Sequence, residues 1–433
     1  MQRIEIKHFG PIADLQLDIK DFMLFIGPQA SGKSTIAKAI CFFKSLNDDF
    51  VKFFKARVDD ARNRLYDDYT YMIMQFFLDY FGEDIIQDGL ALKYVYSDDI
   101  WITITYEQDI SYNHLSIKLS EKFKNFIEDV NQESTKFLWE HRDDDRRTSA
   151  ELLLVDEAKT KFSSYIKDKC NQFFEEDREV IFIPAGRSLL TQVPNIGIGL
   201  NQIDFLISKF LYKINIIKPL FKKSLSDIIK QSKIDPKLKI DPEKAKLAEE
   251  LVSKVLKGSY QYDKDDERIY YDADHYVKLK FSSSGQQESL WILLQLFLII
   301  LEQQKVFLVI EEPEAHLFPE AQKEISALIA LVSNMQQSQV IITTHSPYIL
   351  ASINNLILAD KVGNIAPEEV SHTVNPYLWI NRDKVYAALV QQGKASNIID
   401  EELDLIQQEQ IDTVSRQINK EFDFLYQYDI TEI

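Results

Sequence analysis

One octapeptide, Gly27 to Ser34 (GPQASGKS), restricts what this chain can fold into more than any other stretch. The apolar run Met23 to Ile26 comes directly before it, and Ser34 to Phe43 follows with a helical pattern. In a strand–loop–helix unit, glycines let backbone N–H groups and the positive helix end face a phosphate. Lys33 can then reach the β- and γ-phosphates, and the Ser34 hydroxyl suits a Mg²⁺ ligand. The alternative is a chance glycine turn, which the flanking strand and helix argue against.

Two carboxylates and a histidine stand at the ends of two further apolar strands. The predicted strand Val306 to Ile310 is followed by Glu311 and Glu312, and Val340 to Ile342 leads to His345. Acidic side chains are costly at the end of a buried strand unless they serve a cation or a proton transfer. We therefore expect Glu311 to hold Mg²⁺ and Glu312 to polarise an attacking water. His345, although strand-end histidines are usually structural, is expected to hydrogen-bond the γ-phosphate.

A third polar stretch, Ser282 to Gln286, precedes a long apolar segment of helix length. Ser283 fits a helix N-cap or an anion ligand, and the N–H groups around Gly285 would face outward at a positive helix end. Capping alone would be the simpler interpretation of a serine-glycine pair. Its place just before an acidic strand end, in a chain with a phosphate-binding loop, favours anion binding.

Charge and cysteine content bear on partners and compartment. The chain has 433 residues, 45% of them apolar, with a formal charge of −18 and a pI near 4.9. That charge argues against a surface that coats nucleic acid, without excluding a local basic groove. Cys41 and Cys170 are the only cysteines, which favours a reducing cytoplasm. The start lacks an apolar signal segment and Leu290 to Leu301 is too short to span a bilayer, so we expect a cytoplasmic protein without membrane attachment.

Periodicity predicts an α/β chain with helical insertions. Strands are expected at residues 4–6, 15–19, 101–106, 115–119, 179–183, 355–359 and 384–390. Helical patterns cover residues 47–82, 121–177, 203–256 and 401–426, and residues 260–280 suit a hairpin. The predicted segments are an N-terminal lobe at 1–120, helical insertions at 121–178 and 201–265, a core strand and loop at 179–200, a C-terminal lobe at 266–360 and an extension at 361–433.

Three polar groups have two interpretations each. Arg187 follows a strand that ends at Pro184 and Gly186, where it is either a functional cation or a salt-bridged structural residue. The charged run 142–147 is a solvated face or, less simply, a partner-docking patch. The Asp272-Ala273-Asp274 pair suggests a metal site, but the lack of a placed third carboxylate favours a turn.

Four motifs together, GPQASGKS, SSSGQQE, VFLVIEEPEAHLFPEAQ and IITTHSP, resemble those of the ABC-type ATPase fold. The resemblance lies in the branch shared by SMC, RecF and OLD-family ATPases, and is closest to OLD-like "predicted ATPase" proteins of the AAA family without a TOPRIM nuclease domain. It extends to IEIKHFGPI, IFIPAGRS and NPYLWINRDKVYAALV. The resemblance implies an α/β ATPase head with a mixed, mainly parallel sheet, an antiparallel β subdomain and helical insertions, using ATP and Mg²⁺.

The resemblance also implies roles for individual residues. Glu311 and Glu312 are the Walker B pair, with glutamate at 311 in place of the more familiar aspartate, residues 315–318 are the D-loop, and His345 is the switch histidine. Phe318 replaces a D-loop aspartate, His8 stands where many relatives have asparagine, and Gln192 is a candidate Q-loop glutamine. Walker A comprises Gly27, Pro28, Gln29, Ala30, Ser31, Gly32, Lys33, Ser34 and Thr35, and the signature ligands are Ser283, Ser284, Gly285 and Gln286.

The same resemblance implies assembly into a homodimer with two ATP molecules between the subunits. Each signature serves the nucleotide of the other subunit, and hydrolysis loosens the pair. The residues after His345 contain no Asp-x-Asp pair of the kind a TOPRIM nuclease needs. We therefore expect this ATPase to act with a separately encoded nuclease or toxin, as in prokaryotic anti-phage defence. The alternative is a RecF- or SMC-like DNA-binding repair ATPase; a transporter subunit fits the helical insertions less well.

Overall fold

A six-stranded, mainly parallel sheet forms the centre of the fold. The computed structural model describes residues 1–57, 65–108, 113–140, 149–188, 204–235, 238–263, 266–407 and 419–426. The strand order is β14-β13-β3-β12-β11-β7, and β13–β14 is the antiparallel pair. The strands are β3 (Phe22–Ile26), β7 (Glu179–Ile183), β11 (Val306–Glu311), β12 (Gln339–Thr344), β13 (Val385–Gln391) and β14 (Lys394–Asn397). We call the ends of β3, β7, β11 and β12 the carboxyl edge, and their starts the amino edge.

The central strands are apolar on both faces because both faces are covered. In β3, Leu24 belongs to one apolar cluster and Met23 and Phe25 belong to the other. In β11, Leu308 and Val309 divide in the same way. This explains why these strands read as continuous apolar runs instead of alternating ones.

A second, five-stranded antiparallel sheet carries the N-terminus, in the order β2-β1-β4-β5-β6. The predicted pairs β1–β2 and β5–β6 are confirmed. The central strand β4 is absent from the sequence prediction. Its Tyr94, Val95 and Tyr96 are buried in succession, and the register shifts between Val95 and Ser97, so the period of two is lost. The strands are β1 (Arg3–Phe9), β2 (Ile12–Asp18), β4 (Ala91–Ser97), β5 (Ile100–Gln108) and β6 (Asn113–Leu119).

Helices cover both faces of the central sheet. On the face shared with the antiparallel sheet lie α1 (Lys33–Arg57), α2 (Leu65–Phe81), α3 (Glu121–Glu140) and α4 (Ser149–Phe174). The other face is covered by α5 (Phe205–Ile217), α6 (Leu225–Ser232), α7 (Pro242–Leu256), α8 (Ser284–Glu302), α9 (Pro319–Ser333) and α10 (Pro347–Gly363), and α11 is Pro367–Thr373. The predicted α/β fold with a mixed sheet is confirmed, whereas the segment boundaries stay a prediction.

Helix α8 is long and apolar enough to cross a membrane by length and composition alone. Its Leu290 to Leu301 segment is buried inside the protein, where it packs in the apolar cluster beneath the central sheet. Core helices of folded domains pass the same test of length and composition, so this is weak evidence for a membrane span.

Two predicted elements after His345 are wrong. Residues 355–359 belong to α10, not to a strand, because the Ser346 hydroxyl caps the N–H groups of Tyr348 and Ile349. The burial of Ile349, Ile353 and Leu356 then follows helical spacing. Residues 401–407 form turns and a bridge between Ile399 and Ile406, and only residues 419–426 of the predicted last helix are helical in the described chain.

The predicted hairpin at 260–280 is confirmed and gains a third strand. It comprises β8 (Ser259–Asp263), β9 (Asp266–Tyr270) and β10 (Tyr276–Lys278). Asp272 Oδ1 accepts hydrogen bonds from the N–H groups of Asp274 and His275, both at 2.9 Å. This is the turn that the sequence favours at Asp272–Asp274. The charged run 142–147 and Gln192 lie outside the described residues.

Candidate nucleotide site at the carboxyl edge

The phosphate-binding loop joins β3 to α1 and its backbone needs glycine at two positions. Gly27 has φ 153°, Ala30 has φ 56° and Gly32 has φ 104°. A Cβ at Gly27 would lie 2.1 Å from the Val390 carbonyl oxygen, and one at Gly32 would lie 2.4 Å from Ile12 Cδ1. Both glycines are therefore required by the space around them as well as by φ.

The other predicted residues of this loop differ in exposure. Ser31 is buried, Thr35 is half-buried, and the exposed residues are Pro28, Gln29, Ala30 and Ser34. α1 begins at Lys33, with the Gly32 carbonyl accepting the Ile36 N–H at 3.0 Å. The start of a 25-residue helix thus lies directly behind the loop, where its positive end favours an anion.

Lys33 is buried at the base of the loop. Its ammonium donates to the carbonyls of Gly27 at 2.9 Å and Pro28 at 2.7 Å. Burial lowers the pKa of Lys33, while the nearby carboxylates of Glu312 and Glu314 act in the opposite direction. The ammonium is thus held by carbonyls of its own loop, within reach of an anion that enters above it.

The acidic strand β11 and the histidine strand β12 reach the same edge as the loop. β12 lies between β3 and β11, with Thr344 opposite Ile26 and Thr343 opposite Glu311. Neighbouring strands are about 4.8 Å apart, so Glu311 lies roughly 10 Å across the edge from the end of β3. Three motifs far apart in sequence therefore meet at one edge.

His345 connects the loop to the acidic pair. Its Nδ1 lies 3.5 Å from Lys33 Nζ, and its Nε2 lies 3.0 Å from Glu312 Oε1. Glu312 has φ 44°, a left-handed conformation, and its N–H donates to the Thr343 carbonyl at 2.8 Å. The sharp bend after β11 turns the Glu312 side chain toward His345, and such strained residues cluster at functional sites.

Glu314 orients His345 and was not singled out from the sequence. Its Oε1 accepts the Thr344 hydroxyl and the His345 N–H, both at 2.7 Å. Its position three residues after Glu311 in EEPE was the available signal, because a third acid beside a strand-end pair needs a partner. Among the residues that the structure describes, Glu314 is the acceptor that fixes the histidine backbone.

Several buried polar atoms at this edge have no hydrogen-bond partner in the described chain. These atoms are Ser31 Oγ, Glu311 Oε1, Glu314 Oε2 and Thr343 Oγ1. The other Glu311 oxygen accepts the Ala185 N–H at 3.2 Å. Buried polar atoms are normally paired, so unpaired carboxylate and hydroxyl oxygens at one edge are the pattern of a site that a ligand or metal completes.

The donor set fits Mg²⁺ only together with phosphate. No group of three or more His, Cys, Asp or Glu side chains that could hold a metal occurs within the described ranges. The exposed Ser34 hydroxyl and the free Glu311 oxygen are hard oxygen ligands of the type Mg²⁺ prefers. Mg²⁺ usually keeps one or two carboxylates and takes its remaining ligands from phosphates and water. The residues present therefore fit a nucleotide-bound Mg²⁺.

The predicted signature forms the capped start of α8. Ser283 is the N-cap, and a capping box joins it to Gln286: the Ser283 hydroxyl accepts the Gln286 N–H at 3.3 Å, and Gln286 Oε1 accepts the Ser283 N–H at 3.2 Å. Gln286 Nε2 also donates to the Leu256 carbonyl at 2.9 Å. Ser283 and Ser284 are exposed, whereas the Gln286 side chain is committed to its own subunit.

The signature lies against the predicted D-loop instead of its own phosphate-binding loop. A Cβ at Gly285 would lie 2.7 Å from the His316 carbonyl oxygen, so these two backbones are in close contact. Within the described ranges, no hydrogen bond or ion pair joins residues 282–286 to residues 27–35. Phe318, at the aspartate position, is 71% exposed and starts α9 without a side-chain cap.

Arg187 is fully buried and bound by groups of the protein, which argues against its interpretation as a cation that binds a ligand directly. Its Nε donates to the Glu288 carbonyl at 2.9 Å, and its other nitrogens donate to the carbonyls of Glu311 at 2.8 Å and Glu312 at 2.9 Å. Burial lowers the pKa of Arg187, and the Glu288 carboxylate opposes this shift. The cation is thus not open to a ligand. Glu288, its partner on α8, was missed because their separation of 101 residues leaves no local pattern.

His8, the other departure from the family pattern, is exposed at the end of β1 with φ 45°. Asparagine and histidine are among the residues that tolerate this left-handed conformation. A Cβ at the neighbouring Gly89 would lie 3.3 Å from the His8 ring. The conformation gives a backbone reason for either residue type at this position.

Comparisons with known proteins give a family match and several similar solved structures. One similar solved structure is an SMC head bound to the C-terminal winged-helix domain of ScpA, with 12% identity and a TM-score of 0.42 over 92% of this chain and 96% of that chain. A second is an SMC head from Thermotoga maritima, with 11% identity and a TM-score of 0.37 over 92% of this chain and 97% of that chain. A third is an SMC head with an extended coiled coil bound to the C-terminal domain of ScpA from Pyrococcus furiosus, with 12% identity and a TM-score of 0.40 over 97% of this chain and 100% of that chain. Likeness at this level does not bear on function. No curated protein matches the chain. Residues 1–350 match the AAA ATPase domain, and the chain belongs to this family.

Proposed function

We propose that this protein hydrolyses ATP at the carboxyl edge of its central sheet. The observation that carries the proposal is the contact chain from Lys33 through His345 to Glu312, with distances of 3.5 Å and 3.0 Å. This contact chain lies beside a loop in which the surrounding atoms and the positive φ angles both require glycine at two positions. A cation, a hydrogen-bonding imidazole and a carboxylate in sequence are the groups that hydrolysis of a phosphoanhydride needs.

Each residue has a distinct task in this proposal. The loop N–H groups and Lys33 bind the β- and γ-phosphates, and Ser34 with Glu311 holds Mg²⁺, which offsets phosphate charge. Glu312 accepts a proton from the attacking water, and His345 hydrogen-bonds the γ-phosphate. Entry of a γ-phosphate would give the Lys33 ammonium a stronger partner than its present carbonyls.

We further propose that two copies close around two ATP molecules. The exposed Ser283 and Ser284 and the free N–H groups at the start of α8 form a positive end without a ligand from their own subunit. A second copy could offer its nucleotide to this end. Phe318, 71% exposed beside the signature, would be covered by the same contact.

The test uses two variants with opposite expected effects on dimer formation. Lys33→Ala should abolish ATP binding, while Glu312→Gln should bind ATP and accumulate the dimer with turnover lowered by about 100-fold or more. ATP affinity by titration, phosphate release and mass by sedimentation measure these outcomes. Normal ATP affinity of Lys33→Ala would remove the loop assignment, and normal turnover of Glu312→Gln would remove Glu312 as the base.

We propose that the protein is cytoplasmic, because its two free, buried cysteines suit a reducing compartment. We also propose that it regulates a separately encoded nuclease or toxin in anti-phage defence. What supports a protein partner is an apolar stripe on and after α5, where Tyr212, Ile216 and Leu220 are 70%, 58% and 50% exposed. Co-expression with the adjacent gene product should yield a stable complex, and Ile216→Glu should dissociate it. A complex unaffected by Ile216→Glu would exclude this stripe as the docking site.

One observation favours a DNA-binding repair ATPase as the second candidate. In a chain of formal charge −18, the segment around α6 carries exposed lysines that form no ion pair within the described residues, namely Lys222, Lys223, Lys233 and Lys239. Such a group can contact phosphates. Stimulation of ATP hydrolysis by DNA alone, lost in Lys222→Glu/Lys223→Glu, would favour this candidate over the effector complex.

A further inference from the structure

One buried cation connects the two functional halves of the carboxyl edge. Arg187, which follows β7, is 0% exposed although it carries one of the largest side chains of the chain. β7 pairs in parallel with β11, and Ile183 lies opposite Ile310. The arginine therefore enters the edge directly beside the turn that carries Glu311 and Glu312. No hydrogen bond or ion pair joins its guanidinium to the phosphate-binding loop in the described chain.

All three nitrogens of the guanidinium donate hydrogen bonds inside the protein. It donates to the backbone carbonyls of Glu288, Pro184, Glu311 and Glu312. Its Nε also lies 3.6 Å from Glu288 Oε2. Lysine has no planar fork of donors and cannot satisfy this set of carbonyls at once. The site is thus specific for arginine and not only for positive charge.

Glu288 closes the arrangement from the opposite side. It is 2% exposed, and its two carboxylate oxygens accept the backbone N–H groups of Arg187 at 2.9 Å and Ser188 at 3.0 Å. Glu288 lies on α8, one turn beyond Gly285. The segment after β7 and the first turns of α8 are therefore held together by both members of one ion pair.

The carbonyl of Glu312 is the contact with the clearest consequence for catalysis. Glu312 has φ 44°, a conformation that a residue with a side chain adopts only when its surroundings impose it. Arg187 Nη2 donates to this carbonyl at 2.9 Å, and the Thr343 carbonyl accepts the Glu312 N–H at 2.8 Å. These two bonds fix the peptide groups on both sides of Glu312, and so direct its carboxylate to His345.

We infer that Arg187 and Glu288 form a positioning pair that couples the Glu312 turn to the start of α8. This inference rests on the proposed function, in which α8 binds the nucleotide of a second copy. A shift of α8 on contact with that nucleotide moves Glu288, and the shared guanidinium transmits the movement to the carbonyls of Glu311 and Glu312. Neither member touches ATP; both act through the backbone of the residues that do.

The test separates positioning from mere stability. Arg187→Lys keeps the charge but loses the fork, and Glu288→Gln keeps one acceptor oxygen. ATP affinity should stay within about threefold of the wild type, because the loop and Lys33 are intact. Turnover and the ATP-dependent dimer fraction should fall by about tenfold to a hundredfold, the loss expected for a misplaced catalytic group. Affinity by titration, phosphate release and sedimentation give the three values.

Glu176→Gln is the matched control, because Lys44–Glu176 is an equally buried ion pair at the amino edge. It should lower the midpoint of unfolding but leave turnover per folded molecule within about twofold. The double variant Arg187→Lys/Glu288→Gln should be no less active than the less active of the two single variants, because both changes break the same interaction. If Arg187→Lys does not fold, the same values are read from Glu288→Gln.

A lowered unfolding midpoint with normal turnover and dimerisation in both single variants would overturn the inference and leave the proposed function intact. Absence of ATP hydrolysis and of ATP-dependent dimers in the wild type would instead refute the proposed function. A fall in ATP affinity of Glu288→Gln parallel to its fall in turnover would also overturn the inference, because the pair would then support binding and not the Glu312 turn.

Discussion

At the amino edge of the central sheet Lys44 pairs with Glu176, and at the carboxyl edge Arg187 pairs with Glu288. Both pairs are buried. Lys44 also donates to Gln339 Oε1 at 3.1 Å, and the second Glu176 oxygen accepts the Arg178 guanidinium at 2.8 Å. The Lys44 ammonium donates to side-chain oxygens, whereas Arg187 binds mainly backbone carbonyls.

The two edges differ in whether their buried carboxylate oxygens have hydrogen-bond partners. Both oxygens of Glu176 have partners, while Glu311 and Glu314 each keep one buried oxygen without a partner in the described chain. A saturated buried network fixes a structure, and unpaired acceptors next to a cation mark a place for a ligand. In our proposal, the two edges of the same sheet, built from equally apolar strands, therefore serve stability and chemistry separately.

The largest expected effect is on stability at the amino edge. Glu176→Gln leaves the buried Lys44 ammonium without its counter-charge and should lower the free energy of unfolding by about 3–5 kcal/mol. Lys44→Met combined with Glu176→Leu removes both charges and should recover most of this loss. Denaturant titration measures both variants. Equal instability of the single and the double variant would show that the pair is not the stabilising unit.

A smaller effect, on metal affinity, is expected at the carboxyl edge. Glu311→Gln should raise the Mg²⁺ concentration that gives half-maximal ATP hydrolysis by about 10–100-fold, because one hard ligand is lost while the Lys33 contacts remain. Asp21→Asn, which changes an acidic residue at the amino edge, is the control and should leave the Mg²⁺ titration unchanged. A Mg²⁺ titration that Glu311→Gln does not shift would exclude Glu311 as a ligand.

The smallest effect concerns two thiols. Burial raises the pKa of Cys41 and of Cys170 to about 12. At pH 8 about one thiol in 10,000 is then ionised, so both should resist alkylation in the folded protein and react after unfolding. Cys41 lies on α1 between Lys33 and Lys44, hence between the two edges. Mass spectrometry after iodoacetamide treatment measures this; rapid native labelling of Cys41 would contradict it.

The sequence allowed prediction of those site residues that follow apolar strands. Glu311, Glu312 and His345 stand at strand ends, and parallel strands bring such ends together without further information. Lys33 is predicted from the local motif spacing together with the strand and the helix on either side of it. Their mutual distances required the register of β3, β12 and β11, which a single sequence does not encode.

Residues that act through long-range contacts could not be predicted in the same way. Glu288 looks like an ordinary helical glutamate until the fold places it beside Arg187. The prediction for residues 355–359 failed for a different reason: the apolar run Leu356 to Ala359 is short and fits a strand and a buried helix equally well. The cap at Ser346, nine residues before Asn355, decides for the helix.

The close approach of Gly27 to Val390 has a consequence for where this unit can be cut. The family match stops at residue 350, yet one of the two strands that pair with β3 is β13, and the Gly393 carbonyl accepts the Ala13 N–H at 3.0 Å. A chain shortened to residue 350 would retain GPQASGKS, SSSGQQE, VFLVIEEPEAHLFPEAQ and IITTHSP. In that shortened chain β3 would nevertheless be an edge strand, unpaired on its β13 side, and the phosphate-binding loop after it would lack its contact with Val390 of β13.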